Sequence, residues 1–407
     1  MAGVLRITFS KFLNSKNVQS FMLPNSVNEL IIRGIISKAA KIPAKAKKPA
    51  PWPYEHKKFT LFHYFFDKTS SRIDENSKII VVEGPLAAGK SKFASQLACE
   101  LDMLYLPEAN LDMLYINPYG FDLKTLDPQL PESCRSFDVS DWLKNPKHYK
   151  AATFQLNQHG IKFSQYIDAL AHVLSTGQGV VLDRCVYSDF VFAEAMYSQK
   201  FISKEVKNKY YQFRRNSIDE LLRPHLVIYL DVPVEKTLEN IKKRNFSMEV
   251  NSPAINKDYL TTMETFYKQH YLKQISKHAH LLVYDWSEGG DPEVVIEDIE
   301  RIDFEKEEND AKENDWDFRM EDEWGVARHK YSDGKFKLMN YLNIPCVDIK
   351  ELMIDGDDLY HYCKVLEEAP GMKFDEGFNA AMGDKGILFK TSTKPRETLP
   401  RVERRFP

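Results

Sequence analysis

The sequence predicts an α/β fold in which a five-stranded, doubly wound parallel sheet is flanked by helices, with an N-terminal arm and a long C-terminal extension. Three observations carry this expectation. Short apolar runs alternate with helical stretches, as buried parallel strands and their crossover helices do. The first run leads straight into a glycine-containing loop and then a helical pattern. The chain of 407 residues, 43% apolar and 28% charged, is long enough to bury a large core without disulfide staples.

Lys78-Ile79-Ile80-Val81-Val82-Glu83 is a continuous apolar run, as expected of a strand covered on both faces. It is followed by Gly84-Pro85-Leu86-Ala87-Ala88-Gly89-Lys90-Ser91, which satisfies the pattern G-x-x-x-x-G-K-S/T, and Phe93, Leu97 and Leu101 then recur at helical spacing. Two glycines let the backbone curl so that successive N–H groups converge on phosphate oxygens, aided by the positive end of the next helix. Lys90 adds a point charge, and the Ser91 hydroxyl can ligate Mg²⁺. Gly84, Ala87, Ala88, Gly89, Lys90 and Ser91 are therefore the candidate phosphate-binding residues.

The remaining strands are expected at Met103-Leu104-Tyr105-Leu106, Val180-Val181-Leu182, Leu226-Val227-Ile228-Tyr229-Leu230 and Leu281-Leu282-Val283-Tyr284. Between them, Leu156, Phe163, Ile167, Leu170 and Leu174 mark one apolar face of a helix. In such a sheet, ligands sit at the carboxyl ends of the strands. Strand two ends in Pro107-Glu108, strand three in Asp183-Arg184 and strand four in Asp231. Glu108 can accept a proton from an attacking hydroxyl, and Arg184 can hold a transferring phosphate; a helix cap and a structural ion pair are the plainer alternatives. Asp183 joins Ser91 as a candidate metal-site residue. After strand four, Val234, Leu238 and Ile241 mark a helix ending in Lys242, Lys243 and Arg244. These cations form a candidate lid, although they also complement the helix dipole by themselves.

The formal net charge of −3 argues against a chain-wide nucleic-acid binder. Five widely spaced cysteines without a C-x-x-C pair suggest neither a zinc cluster nor a disulfide framework. No run approaches the length of a transmembrane helix, so membrane contact is expected to be peripheral. Residues 1–50 carry nine Lys or Arg against Glu29 alone. This composition reads as a mitochondrial presequence over about 1–35, followed by an extended arm, 36–75, containing Pro51 and Pro53. Residues 303–323 hold eleven acids and three bases, with Phe304, Trp316, Phe318 and Trp324 in or beside the run. Either this is a solvated acidic face, or its aromatics become buried against another chain. The last 21 residues are basic, with Lys390, Lys394, Arg396, Arg401, Arg404 and Arg405.

In order, residues 79–91, Pro107-Glu108, Thr153-Phe154-Gln155, Asp183-Arg184-Cys185-Val186-Tyr187-Ser188-Asp189 and Tyr229-Leu230-Asp231-Val232-Pro233 resemble the deoxynucleoside kinase family, over roughly 76–290. The resemblance implies a P-loop kinase-like domain in which Glu108 activates a deoxyribose 5′-hydroxyl, Gln155 hydrogen-bonds the base and Arg184 acts on phosphate. The chain departs from that family in the lid, which reads Arg244-Asn245-Phe246-Ser247-Met248-Glu249 with Phe246 in the place of a second arginine. It also has Ala109 after Glu108 and a long segment from Asn110 to Asn145. Losing an arginine clamp predicts nucleotide binding with slow or absent phosphoryl transfer.

With its basic leader and its extension at 291–407, the whole chain resembles the deoxynucleoside-kinase-like accessory subunits of mitochondrial respiratory complex I, the NADH:ubiquinone oxidoreductase. This implies a non-redox subunit without catalysis of its own, peripheral on the matrix side of the inner membrane. It would be bound to other complex I subunits and hold a nucleoside or deoxynucleoside phosphate with Mg²⁺. Flavin adenine dinucleotide (FAD) enters by family association only. The alternative is an active mitochondrial deoxynucleoside kinase.

Overall fold

The computed structural model describes residues 34–40, 48–304, 312 and 314–387. Five parallel strands, β1 (Ile79–Glu83), β2 (Leu104–Leu106), β3 (Val180–Asp183), β4 (Leu226–Asp231) and β5 (His280–Asp285), form one sheet in the order β2-β3-β1-β4-β5. All five expected strands are present. β1 is central: Val81 lies opposite Leu182 on one side and Val227 on the other. The loop that follows β1 therefore opens between the carboxyl ends of β3 and β4.

Alternation along the strands supplies two cores. Ile79, Val81, Val180, Leu182, Val227 and Tyr229 face a layer built on the 26-residue helix Ala151–Thr176. Ile80, Val82, Val181, Ile228 and Leu230 face the helices Lys90–Leu101 and Pro292–Glu300. The long helix is buried on nearly every side rather than along one stripe, because the C-terminal extension covers the face that the sheet leaves free. Helix Glu321–Ser332 lies against it, and Lys335 pairs with Asp168 at 2.7 Å.

Several expectations about the flanking segments change. Ile35 is fully buried in the second core, and the Ser37 amide donates to the Glu300 carboxylate at 2.9 Å. Ile35, at the expected end of the leader, is thus a core residue of the structure. Residues 1–33, the rest of that leader, lie outside the described residues.

The arm at 36–75 is not wholly extended: it contains the helix Leu61–Phe66 and a turn at Ser70–Arg72. It is held by burial of Trp52 and Phe59 and by Asp67, whose carboxylate takes both Arg72 and Arg328. The aromatics of the acidic region pack on this chain itself. Phe304 is buried in the second core, the Trp316 ring lies 4.3 Å from His225, and Trp316 Nε1 donates to the Arg223 carbonyl at 2.8 Å. Apolar rings collapse onto the nearest apolar surface, here the lower edge of the sheet and the long helix. Part of the acidic run, 305–311 and 313, and the basic tail from 388 onward lie outside the described residues.

Candidate functional site

The phosphate loop sits between β1 and the helix Lys90–Leu101, as the pattern requires. Gly84, Ala87 and Gly89 all have positive φ, at 152°, 53° and 80°. The first position has no room for a side chain, because a Cβ on Gly84 would stand 2.6 Å from the Leu230 carbonyl oxygen. The loop is thus curled by backbone conformations that glycine adopts at little cost.

Lys90 is buried beneath the loop, and its ammonium donates to the Pro85 carbonyl at 2.7 Å. Burial, with the Arg184 charge nearby, lowers its pKa to about 8 against the opposing pull of Glu108, Asp183 and Glu83. The sign of the resulting pH dependence follows directly. Lys90 carries its charge below about pH 8, so affinity of the loop for a phosphate anion is expected to fall as pH rises above that value, checked by nucleotide titration at several pH values. Stability of the ligand-free protein moves oppositely. Between about pH 8 and 10.5 the unfolded chain binds the Lys90 proton more tightly than the folded one, so this group's contribution to stability rises with pH.

The strand ends bring Glu108, Asp183 and Arg184 beside the loop, because β2 and β3 are neighbours on the same side of β1. Ser91 Oγ donates to Asp183 Oδ2, while the buried Asp183 Oδ1 has no hydrogen-bond partner among the described residues. Arg184 adopts a left-handed backbone with φ 62°, which turns its buried guanidinium toward Glu108. Its Nη1 donates to both Glu108 oxygens at 2.7 and 3.0 Å, and its Nη2 to the Gly84 carbonyl at 2.8 Å. Burial raises the Glu108 pKa, but Arg184, Lys90 and Lys162 outweigh it and hold the carboxyl down to about 2. The same pairing raises that of Arg184 against the opposing effect of burial.

Gln155 is placed differently from an open base-binding residue. It is only 2% exposed, and its amide donates to Asp189 Oδ2 at 3.0 Å. Asp189 also accepts from Lys162 at 2.7 Å and from Tyr210 at 2.9 Å, with the His159 ring 3.5 Å away. Burial opposes ionisation of Asp189, but Lys162 and His159 prevail and lower its pKa. The Phe192 ring lies within 5.0 Å of both the Lys162 ammonium and the Arg184 guanidinium, which joins this cluster to the strand-end residues.

The lid candidates lie across the loop. Lys243 and Arg244 line a cavity of about 810 Å³ together with Ala87, Ala88, Gly89, Lys92, Lys236 and Asn240. Asn240 Nδ2 donates to the Ala87 carbonyl at 3.4 Å, tying the helix Val234–Arg244 to the loop. Arg244 pairs with Glu249, and the Phe246 ring is 63% exposed. Lys236, Lys243 and Arg244 therefore face the loop side, while the aromatic that stands in the lid presents no charge.

Some residues of the site escape a reading of motifs. Glu83, the last residue of β1, is fully buried; its oxygens accept from the Cys185 amide at 3.3 Å and the Tyr267 hydroxyl at 3.2 Å. Burial raises its pKa to about 6 against Ser188 and three nearby cations. Tyr267 sits in a π-helical turn, Tyr267–Tyr271, a local widening that no residue pattern announced. His159 and Lys162 do have a signal, since with Gln155 they recur at i, i+4 and i+7 and so share one face of the helix Ala151–Thr176.

Comparisons with known proteins agree with this geometry. The family described as deoxynucleoside kinase matches residues 80–315. The chain is 36% identical over 326 residues to "NADH dehydrogenase (ubiquinone) 1 alpha subcomplex subunit 10, mitochondrial" of Mus musculus, covering 80% of this chain and 87% of the relative. It is 34% identical to the protein of the same name from Bos taurus, covering 81% and 92%. It is 29% identical to a deoxyguanosine kinase of Dictyostelium discoideum, covering 58% and 73%. With its phosphate loop, its Asp183-Arg184 strand end and its extension beyond the kinase-like sheet, the chain belongs to the deoxynucleoside kinase family, in the branch of the NADH dehydrogenase (ubiquinone) 1 alpha subcomplex subunits 10.

Proposed function

We propose that the chain is an accessory, non-redox subunit of mitochondrial respiratory complex I, on the matrix side of the inner membrane, that holds a nucleoside phosphate in its phosphate loop. The carrying observation is the contrast within one site. The loop keeps its curled backbone and buried Lys90, while the lid offers Arg244 paired to Glu249 and an exposed Phe246. The relatives covering most of the chain bear the name of a mitochondrial NADH dehydrogenase subunit. No helix among the described residues is long and apolar enough to cross a membrane, which suits a peripheral position.

The residues suit a divalent cation beside the phosphates. Ser91 Oγ and Asp183 Oδ1, which has no hydrogen-bond partner among the described residues, are hard oxygen donors of the kind Mg²⁺ takes. Mg²⁺ held there would neutralise phosphate charge. Lys90 would hold the outer phosphate oxygens, backbone N–H groups at 84–91 would cradle the rest, and Lys243 would approach from the lid side.

An active deoxynucleoside kinase is the second reading, favoured by Glu108 and Arg184 standing together at the loop. Against it, the Glu108 carboxylate is engaged by Arg184 through both oxygens, at 2.7 and 3.0 Å, a pairing it has to loosen to take a hydroxyl proton. Purified protein with ATP, Mg²⁺ and a panel of deoxynucleosides separates the two readings. Turnover far below one per second is expected, and turnover at or above roughly one per second would overturn the accessory reading in favour of the enzyme.

A further inference from the structure

A second cavity, of about 850 Å³, lies apart from the phosphate site and shares no lining residue with the cavity over the loop. Its volume falls within the range of small-molecule sites, about 300–1,000 Å³. One wall is the inserted segment, with Met113, Leu114 and Phe137; the opposite wall is the C-terminal helix Gly356–Glu368 and the turn after it, with Leu359, Leu366 and Met372. The two walls are fastened to one another. The His361 ring contacts the Gln129 carbonyl at 2.9 Å, and Leu126, Leu130 and Ala369 share a small apolar cluster. Neither wall belongs to the motifs that resemble the kinase family.

The floor carries the informative group. Lys150 lines the cavity, is only 7% exposed, and donates to the Arg135 carbonyl at 2.9 Å. Among the described residues no carboxylate stands within ion-pair distance of its ammonium. Arg135 lines the same cavity, and its Nε is spent on the Leu130 carbonyl. Asp127, Glu351, Asp375 and Glu376 also line the cavity, and Glu132 acts on the Lys150 charge from nearby; Asp127 accepts from the amide and hydroxyl of Ser136, and Glu351 from Ser203 at 2.9 Å. Lys150 also immediately precedes the helix Ala151–Thr176, whose positive end adds to the field. Burial lowers the Lys150 pKa against the opposing effect of Asp127, as expected of a charge whose compensation is incomplete.

A buried ammonium with no carboxylate at ion-pair distance is costly, and here it borders a cavity whose two walls offer Met113, Leu114, Phe137, Leu359, Leu366 and Met372 among polar neighbours. We infer that this cavity binds a single-chain amphiphile with an anionic head, the head against Lys150 and the apolar chain between the inserted segment and the C-terminal helix. A carboxylate or a phosphate head satisfies the same chemistry. The apolar lining takes the chain without specific contacts, so the charge at one end sets the orientation.

The test uses the purified full chain, titrated with oleate, oleoyl lysophosphatidic acid and the uncharged oleyl alcohol, with stoichiometry read by native mass spectrometry and affinity by calorimetry. One molecule of an anionic ligand is expected to bind, with oleyl alcohol at least about tenfold weaker, the loss that one charge-assisted hydrogen bond represents. Lys150→Gln should reduce the anionic ligands to the level of the alcohol, Lys150→Arg should retain them, and Leu359→Trp should weaken all three by filling the space. Tighter binding of oleate assigns a carboxylate head, and tighter binding of the lysophosphatidate a phosphate head. The inference is overturned if no saturable binding occurs, if the alcohol binds as well as the anions, or if Lys150→Gln leaves anion affinity unchanged in a variant whose circular dichroism matches the parent.

Discussion

Asp67→Asn is expected to destabilise the full chain by about 3–5 kcal/mol, the usual cost of removing one partner from a buried ion pair. Asp67 serves two buried guanidinium groups at once. Arg328 Nη2 reaches Oδ2 at 2.8 Å and Arg72 Nη2 reaches Oδ1, while both arginines are almost wholly inaccessible to water. The Arg328 group also lies 3.8 Å from the centre of the Phe59 ring, so it has no route to solvent when its counter-charge is lost. The cost is expected to fall on one region, because Arg72 and Asp67 belong to the N-terminal arm and Arg328 to the C-terminal extension. Chemical denaturation of the full chain gives the number, and hydrogen exchange should show increased opening at Leu61–Phe66 and Glu321–Ser332. Arg319→Ala, on an exposed pair with Asp317, is the control and should change stability by less than about 1 kcal/mol. A loss for Asp67→Asn as small as the control's would contradict the shared-carboxylate account.

Lys90→Met is expected to weaken binding of a nucleoside triphosphate by about 10- to 100-fold. This corresponds to loss of a charged hydrogen bond worth about 1.5–3 kcal/mol, with the apolar stem retained. Without ligand the variant should be at least as stable as the parent, since the ammonium it lacks is buried and depressed in pKa. With nucleotide at 100 times the parent's dissociation constant the parent gains about 2.7 kcal/mol and the variant much less. Calorimetric titration and thermal unfolding with and without nucleotide measure both effects. Equal affinities would mean that Lys90 faces no phosphate, and the proposed site would fail with it.

Much of the sheet was legible in advance for a local reason. A parallel strand buried on both faces reads as a nearly continuous apolar run, so the inner strands Ile79–Glu83, Val180–Asp183 and Leu226–Asp231 announce themselves. The phosphate loop was legible because its function lies in backbone shape, and backbone shape restricts residue type at Gly84 and Gly89. The acidic aromatic belt misled because a sequence shows that Trp316 and Phe318 will seek apolar surface without showing whose. His225 and Arg223, about ninety residues away, supply it. The fold of the arm at 36–75 has no local signal, because its stabilising partner, Arg328, lies more than 250 residues beyond Asp67.

Composition, periodicity and one eight-residue pattern thus determined the class of fold, the order of its strands along the chain and the place of the glycine-containing loop. Tertiary structure alone decided that Gln155 is tied to Asp189, that Arg184 holds Glu108 ionised, and that the inserted segment and the C-terminal helix enclose a cavity around Lys150. The division has one cause. Local patterns record which groups avoid water and which backbone angles are allowed, whereas the charge state of a buried side chain and the space beside it depend on neighbours brought in from distant parts of the chain.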